Sequence, residues 1–200
     1  MTPPMPGKHA ITAADLLPMA EYAKIRRAER RRMLELKQHR RVEVGPFATF
    51  YFESFETMRH QIHEMLFIEK GGAAQVPGEL AAYNPLVPKG NELVATLMIE
   101  IDEPERRQEM LARLGGIEET ATLKIAGAVV KATAEKDLDR TTAEGKASSV
   151  QFVHFPLSAA EIAAFKTPGS EIILALDHPA YGHMARLPEP VRAELAKDLD

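Results

Sequence analysis

Asp177-His178-Pro179-Ala180-Tyr181-Gly182-His183 gathers two imidazoles, a carboxylate and a phenol into one short run. Two histidines and an acid bracketing a turn can converge on one divalent cation, or a histidine can serve as base with the tyrosine as acid. The same run also reads as plain turn chemistry, with Asp capping and Pro-Ala-Tyr-Gly supplying the bend. Asp177, His178, Tyr181 and His183 are therefore candidate site residues, and Asp177, His178 and His183 are candidate ligands for a divalent metal.

A second constellation lies on a helix-forming stretch. At 100° per residue, Glu56, His60, His63 and Glu64 share about a third of the circumference, with Glu53 just ahead, opposite an apolar stripe of Met58, Ile62 and Met65. Imidazole and carboxylate suit zinc, iron or manganese, whereas the plain reading is a solvated helix face. His63-Glu64-Met65-Leu66-Phe67 begins like HExxH, but Phe67 stands where the second histidine would bind zinc and has no lone pair to offer. Gly145-Lys146 has the look of a phosphate loop, yet Arg140 replaces its first glycine and Ala147 the hydroxyl that would hold magnesium. No GxGxxG or GxSxG occurs.

Charge supplies a third feature. Nine Lys/Arg between Lys24 and Arg41 face only Glu29 and Glu35, a local +7, and the net −4 of the whole chain leaves −11 for the rest. Arg30, Arg31, Arg32, Arg40 and Arg41 are candidates for binding an anion or a partner. Phosphate neutralisation along nucleic acid is one use for such an arm, disfavoured here because stacking aromatics are missing nearby and the acidic body repels a polyanion. Pairing with that acidic body, or with a neighbouring subunit, is the other. With no cysteine, disulfides, thiol catalysis and an iron–sulfur cluster ligated by this chain are excluded. No apolar stretch nears the roughly 20 residues of a membrane helix, and Met1 to Gly7 lacks the hydrophobic region of a signal peptide, so no membrane role and a cytoplasmic location are expected.

The elements that must position these groups follow from periodicity and caps. Within 200 residues a single domain is expected, divided into a basic helical arm at 19–41 and an α+β body at 42–200. Pro18 fits only a first turn, which predicts a helix over Met19–Gln38 with a narrow stripe of Tyr22, Ile25, Met33 and Leu36, interrupted by Glu29. Val42–Ser54 reads as strand with a bend at Gly45-Pro46, and Phe55–Ile68 as helix stopped by Gly71-Gly72. Leu93–Ile101 is a buried strand, followed by a helix that Asp102 would cap. Thr120–Ile125 and Ala128–Thr133 form a hairpin around Ala126-Gly127, and 134–149 is loop-like. Val150–Phe155 is another strand. Ser158 to Glu161 forms a capping box, Glu171–Leu176 and His183–Leu187 are strands, and Glu189–Leu199 is a helix. Hairpins with interspersed helices favour an α+β fold with a largely antiparallel sheet, packed helices and a long basic N-terminal helix.

At Leu36-Lys37-Gln38-His39-Arg40-Arg41-Val42-Glu43-Val44-Gly45-Pro46, Glu69-Lys70-Gly71-Gly72, Leu80 to Leu86, Leu93 to Ile101 and Asp177 to Met184, the chain resembles an uncharacterised bacterial domain-of-unknown-function family of similar length. The resemblance supplies no reaction. It implies genes often neighbouring those of rubrerythrin-like and iron–sulfur oxidoreductase proteins, and a motif carried by Gln61, Ile62, Glu64 and Met65 rather than His60 or His63, which makes Glu64 a further candidate site residue. Failed catalytic motifs, the charged arm and this context together lead to an expected non-catalytic accessory or interaction protein of a cytoplasmic redox or oxidative-stress system, a homo-oligomer with a redox protein partner. A small metal-dependent enzyme using the 177–183 turn is the alternative, and nucleic-acid binding through the basic helix is another.

Overall fold

The computed structural model describes residues 8–134 and 146–200. The loop read over 134–149 and the phosphate-loop look-alike fall largely outside these residues, as does the segment Met1 to Gly7.

The chain opens with a single 3-10 turn, Ala13–Asp15, closed by the capping box of Thr12 and Asp15. Pro18 then starts α1 (Met19–Gln38), as its missing N–H requires. Tyr22 and Met33 are buried as the stripe predicts, but Ile25 is 44% exposed. Strands β1 (Arg41–Val44) and β2 (Ala48–Phe52) form a hairpin across the Gly45-Pro46 bend. Next comes α2 (Phe55–Glu69), capped by Ser54, whose hydroxyl accepts from the Thr57 N–H. This helix ends at Lys70, a non-glycine in the left-handed region (φ 57°), one residue before the glycines expected to stop it.

After α3 (Val76–Tyr83), β3 (Glu92–Ile99) runs down the middle of a five-stranded sheet. Then follow α4 (Pro104–Arg113), β4 (Ala121–Ile125), β5 (Ala128–Lys131), β6 (Thr133–Ala134) and β7 (Val150–Pro156). Glu103 rather than Asp102 occupies the cap position of α4, placing Pro104 first in the helix. The chain closes with α5 (Ala159–Lys166), β8 (Ile172–His178), β9 (Tyr181–Arg186) and α6 (Glu189–Leu195), the last continued by a 3-10 turn over Ala196–Asp198.

The fold is α+β, with every strand pairing antiparallel. Where one sheet was expected there are two, ordered β1-β2-β3-β7-β6 and β5-β4-β8-β9. Along β3, alternation sends Leu93, Ala95 and Leu97 to one face and Val94 to the other. The first set shares a core with Leu123, Leu174 and Leu176 of the second sheet and with Leu111, Phe165 and Leu195 from α4, α5 and α6. Val94 and Phe152 pack against Met58, Ile62 and Leu66 of α2, so α2 covers the other face of the first sheet. Helix α1 lies on α2 in turn, with Tyr22 stacked on His63 at 4.6 Å between ring centres.

Candidate functional site

The sites begin with β8 and β9, because their register decides what the histidine turn can do. Two residues, Pro179 and Ala180, connect the strands, which pair from Ile173–Arg186 to His178–Tyr181. Cross-strand partners lie on one face of a sheet, so His178, Tyr181 and His183 project to one side and Asp177, opposite Gly182, to the other. The three candidate metal ligands are thus not brought together. Among the described residues no group of three or more His, Asp or Glu is arranged to hold a metal ion.

His178 is held at both ring nitrogens. The Ala180 N–H donates to Nδ1 (3.1 Å), which places the ring proton on Nε2, and Nε2 donates to the Gly115 carbonyl (3.2 Å). Tyr181 is buried and pins the neighbouring sheet. Its hydroxyl donates to the Val44 carbonyl (2.7 Å) and accepts from the N–H groups of Phe47 (3.2 Å) and Ala48 (3.1 Å). Burial raises its pKa, against the pull of those two backbone donors. The exposed His183 lies edge-on to Tyr181 at 4.5 Å. A side chain at Gly45, itself at φ 76°, would meet both the His183 ring and the Tyr181 oxygen at 2.6 Å, so the bend that presents Val44 requires glycine.

The helical constellation is neither a metal site nor a solvated face: it receives the arm, in keeping with the expected pairing of the arm with the acidic body. Glu64 accepts from Arg26 Nε (2.9 Å) and Nη2 (2.8 Å) and from the Tyr22 hydroxyl (2.7 Å). His63 is buried and accepts from the Leu17 N–H at Nε2 (2.9 Å); His60 Nδ1 stands 3.4 Å from the Tyr22 hydroxyl. Burial lowers the pKa of both imidazoles, His63 being further opposed by Arg59 and His60. Glu56 is bound by Arg32 (2.7 Å) and Arg59 (2.9 Å), and buried Glu53 accepts from the hydroxyls of Thr57 (2.6 Å) and Thr96 (2.7 Å). The face expected to be solvated is therefore α1's landing surface.

The Arg26 hydrogen bonds, with help from Tyr22, hold the Glu64 carboxyl down at about 2 against an ordinary 4.5. A depressed carboxyl stabilises the fold above its unfolded pKa and loses that contribution as pH falls through the folded value, here between about 4.5 and 2. Glu64→Gln is expected to cost about 2 kcal/mol at neutral pH and to flatten the acid limb over that window, checked by urea denaturation on both sides of it.

The arginines of the arm divide into two sets. Arg32 pairs with Glu29 and Glu56, and Arg41 with Glu43 (2.9 Å) and, more loosely, Glu100 (3.7 Å). Arg40 is only 2% exposed and donates to the carbonyls of Phe52 (3.0 Å) and Glu53 (2.8 Å), to Glu194 (3.3 Å) and to Asp198. A cavity of about 200 Å³ opens beside it, lined by Lys8, His9, Ser54, Glu194 and Asp198 among others. Burial drives the Asp198 carboxyl up to about 6, outweighing the opposing attraction of Arg40. Of the readings open for Arg40, an anion, a partner or the acidic body of its own chain, the structure has the last; Asp198 was not singled out, although the i, i+4 spacing of Glu194 and Asp198 was the available signal. Arg27, Arg30 and Arg31 are different: exposed, and without an ion pair among the described residues.

No curated protein matches this chain. A crystal structure at 1.90 Å resolution of a protein of unknown function from Burkholderia pseudomallei K96243 shares 42% identity, covering 96% of this chain and 100% of that one with a TM-score of 0.89. The family described as protein of unknown function (DUF3501) matches residues 10–199, nearly the full length, and the chain belongs to that family.

Proposed function

We propose that the protein is a non-catalytic accessory protein of a cytoplasmic redox system and works by docking to a redox protein. The observation that carries this reading is the use already made of the chemistry-bearing side chains. Both nitrogens of His178, the Tyr181 hydroxyl and the Glu64 carboxylate are engaged in joining elements to one another. A base needs a free lone pair and an acid a transferable proton within reach of substrate, and these groups offer neither without breaking the fold. The redox partner is what the family resemblance implies, and docking gives the exposed arginines of α1 a role.

Untagged protein is expected to carry zinc, iron or manganese well below stoichiometry, with His178→Ala and His183→Ala leaving that content unchanged in metal analysis. Stoichiometric metal lost in both variants would overturn the reading in favour of a metal-dependent enzyme at the 177–183 turn. Photo-cross-linkers on the exposed surface, introduced in the native host, are expected to yield a covalent complex with a redox protein, and a chain that traps none would also overturn it.

A further inference from the structure

Beside α2, the outward side of α1 carries a groove unlike the rest of the helix. Ala23, Arg27, Arg30 and Leu34 recur at i, i+4, i+7 and i+11 and form one straight exposed seam. Leu34 is 68% exposed. Together with Arg26, Arg31 and Phe67 these residues line an open groove of about 440 Å³. Its floor is apolar and its cationic groups are Arg27, Arg30 and Arg31, since Arg26 is bound to Glu64 and stacked 4.5 Å over the Phe67 ring.

We propose that this groove is the docking site for an acidic amphipathic helix of a partner protein. Ala23 and Leu34 seat its apolar stripe, and Arg27, Arg30 and Arg31 pair carboxylates on either side. The proposal rests on the accessory reading and names its surface and the chemistry of its partner. Charge complementarity selects the occupant: guanidinium groups pair with carboxylates in two-pronged fashion, and an apolar floor between them rewards a partner with a hydrophobic stripe. Nucleic acid fits less well. Arg26 covers the Phe67 face that a base would stack on, phosphates gain nothing from Leu34, and the chain outside 24–41 carries −11. The small side chain of Ala23 lets a second helix backbone approach at one end, while Leu34 supplies a knob at the other.

The probe is a designed helical peptide of about four turns, with leucine at every third or fourth position and glutamate flanking each leucine. Fluorescence anisotropy is expected to show binding that weakens about tenfold in Arg30→Glu/Arg31→Glu and several-fold in Leu34→Ala, with circular dichroism of α1 unchanged. Poly-glutamate, with the charge but no stripe, is expected to bind more weakly than the peptide. Peptide binding indifferent to these substitutions, tighter binding of duplex DNA, or self-association abolished by Arg30→Glu/Arg31→Glu would each overturn the proposal, the last by making a second copy the occupant. In the native host, a photo-cross-linker at position 34 is expected to trap an acidic helical segment, with one at exposed Val129 on β5 as control. Trapping of a redox partner at 129 or elsewhere on the exposed surface but not at 34 overturns this surface and leaves the accessory reading standing, whereas trapping at no exposed position overturns both.

Discussion

Replacing Arg40 with alanine is expected to cost about 3–5 kcal/mol of folding stability at about pH 8, the range for removing one partner of a buried ion pair. Nearly all of this guanidinium is out of water, and it answers two backbone carbonyls and two carboxylates at once. Without it, Glu194 keeps only the exposed Lys197 ammonium (2.5 Å) and buried Asp198 loses the guanidinium that donates to it. The cost should be distinctly smaller at about pH 5, because Asp198 titrates near 6 in the fold and more readily still without Arg40, so a bound proton replaces the lost cation.

Asp198 separately imposes a slope on the parent protein. Its folded pKa of about 6 exceeds the ordinary 3.8, so over that interval the folded state holds more protons than the unfolded one. Its stabilising contribution is present below the unfolded value and is lost as pH rises through about 6, amounting to about 3 kcal/mol at most. Asp198→Asn should remove the slope. Urea denaturation of the three proteins across this range is the check, and an Arg40→Ala cost below about 1 kcal/mol at the alkaline end would refute the buried-pair account.

The second large effect is at Tyr181. Tyr181→Phe keeps the ring, its 4.5 Å contact with Phe47 and its burial, and deletes only the hydroxyl. Three backbone groups of the β1–β2 bend then lose a hydrogen bond: the Val44 carbonyl and the N–H groups of Phe47 and Ala48, of which Val44 and Ala48 keep each other as partners in the β1–β2 ladder. A buried polar group left unsatisfied costs about 1–3 kcal/mol, and the ladder partners of Val44 and Ala48 and the partial access of water to Phe47 confine the loss to about that range, so about 1–3 kcal/mol is expected. Thermal denaturation measures the cost, and hydrogen exchange should show faster opening at Phe47 and Ala48 while the β8–β9 pairing stays protected. A reactive tyrosine would leave a different signature, with stability intact and only turnover lost.

Local elements were readable wherever a short-range rule decided them. The bounds of α1 follow from Pro18 and the loss of helical pattern after Gln38, and the hairpin turn lies at Ala126-Gly127, both residues having positive φ (47° and 94°) as a two-residue turn with matching twist requires. The Ser158 box closes as its spacing predicts, with Glu161 returning to the Ser158 N–H at 2.7 Å. Boundaries slipped by one residue where two acids competed for a cap, Glu103 against Asp102, and where Lys70 itself took the left-handed conformation expected of the following glycines.

Partners distant in the chain were not readable in this way. The expected strand Ala128–Thr133 divides at Ala132: β5 stays with β4 in one sheet and β6 crosses to β7 in the other, since local alternation carries no information about which sheet supplies the next ladder. The candidate sites were decided in the same manner. Composition and spacing by themselves determined that the chain has an α+β fold, that it lacks thiols, and that a basic helix precedes an acidic body. Tertiary structure alone decided that His178 and Tyr181 are struts, that the His63/Glu64 face receives α1, and that Arg40 is enclosed while Arg27, Arg30 and Arg31 look outward. The reason is physical: a side chain's type sets which bonds it can make, but whether a carbonyl, a carboxylate or water reaches it first depends on packing between segments far apart in the chain, as Arg40 and Asp198 are.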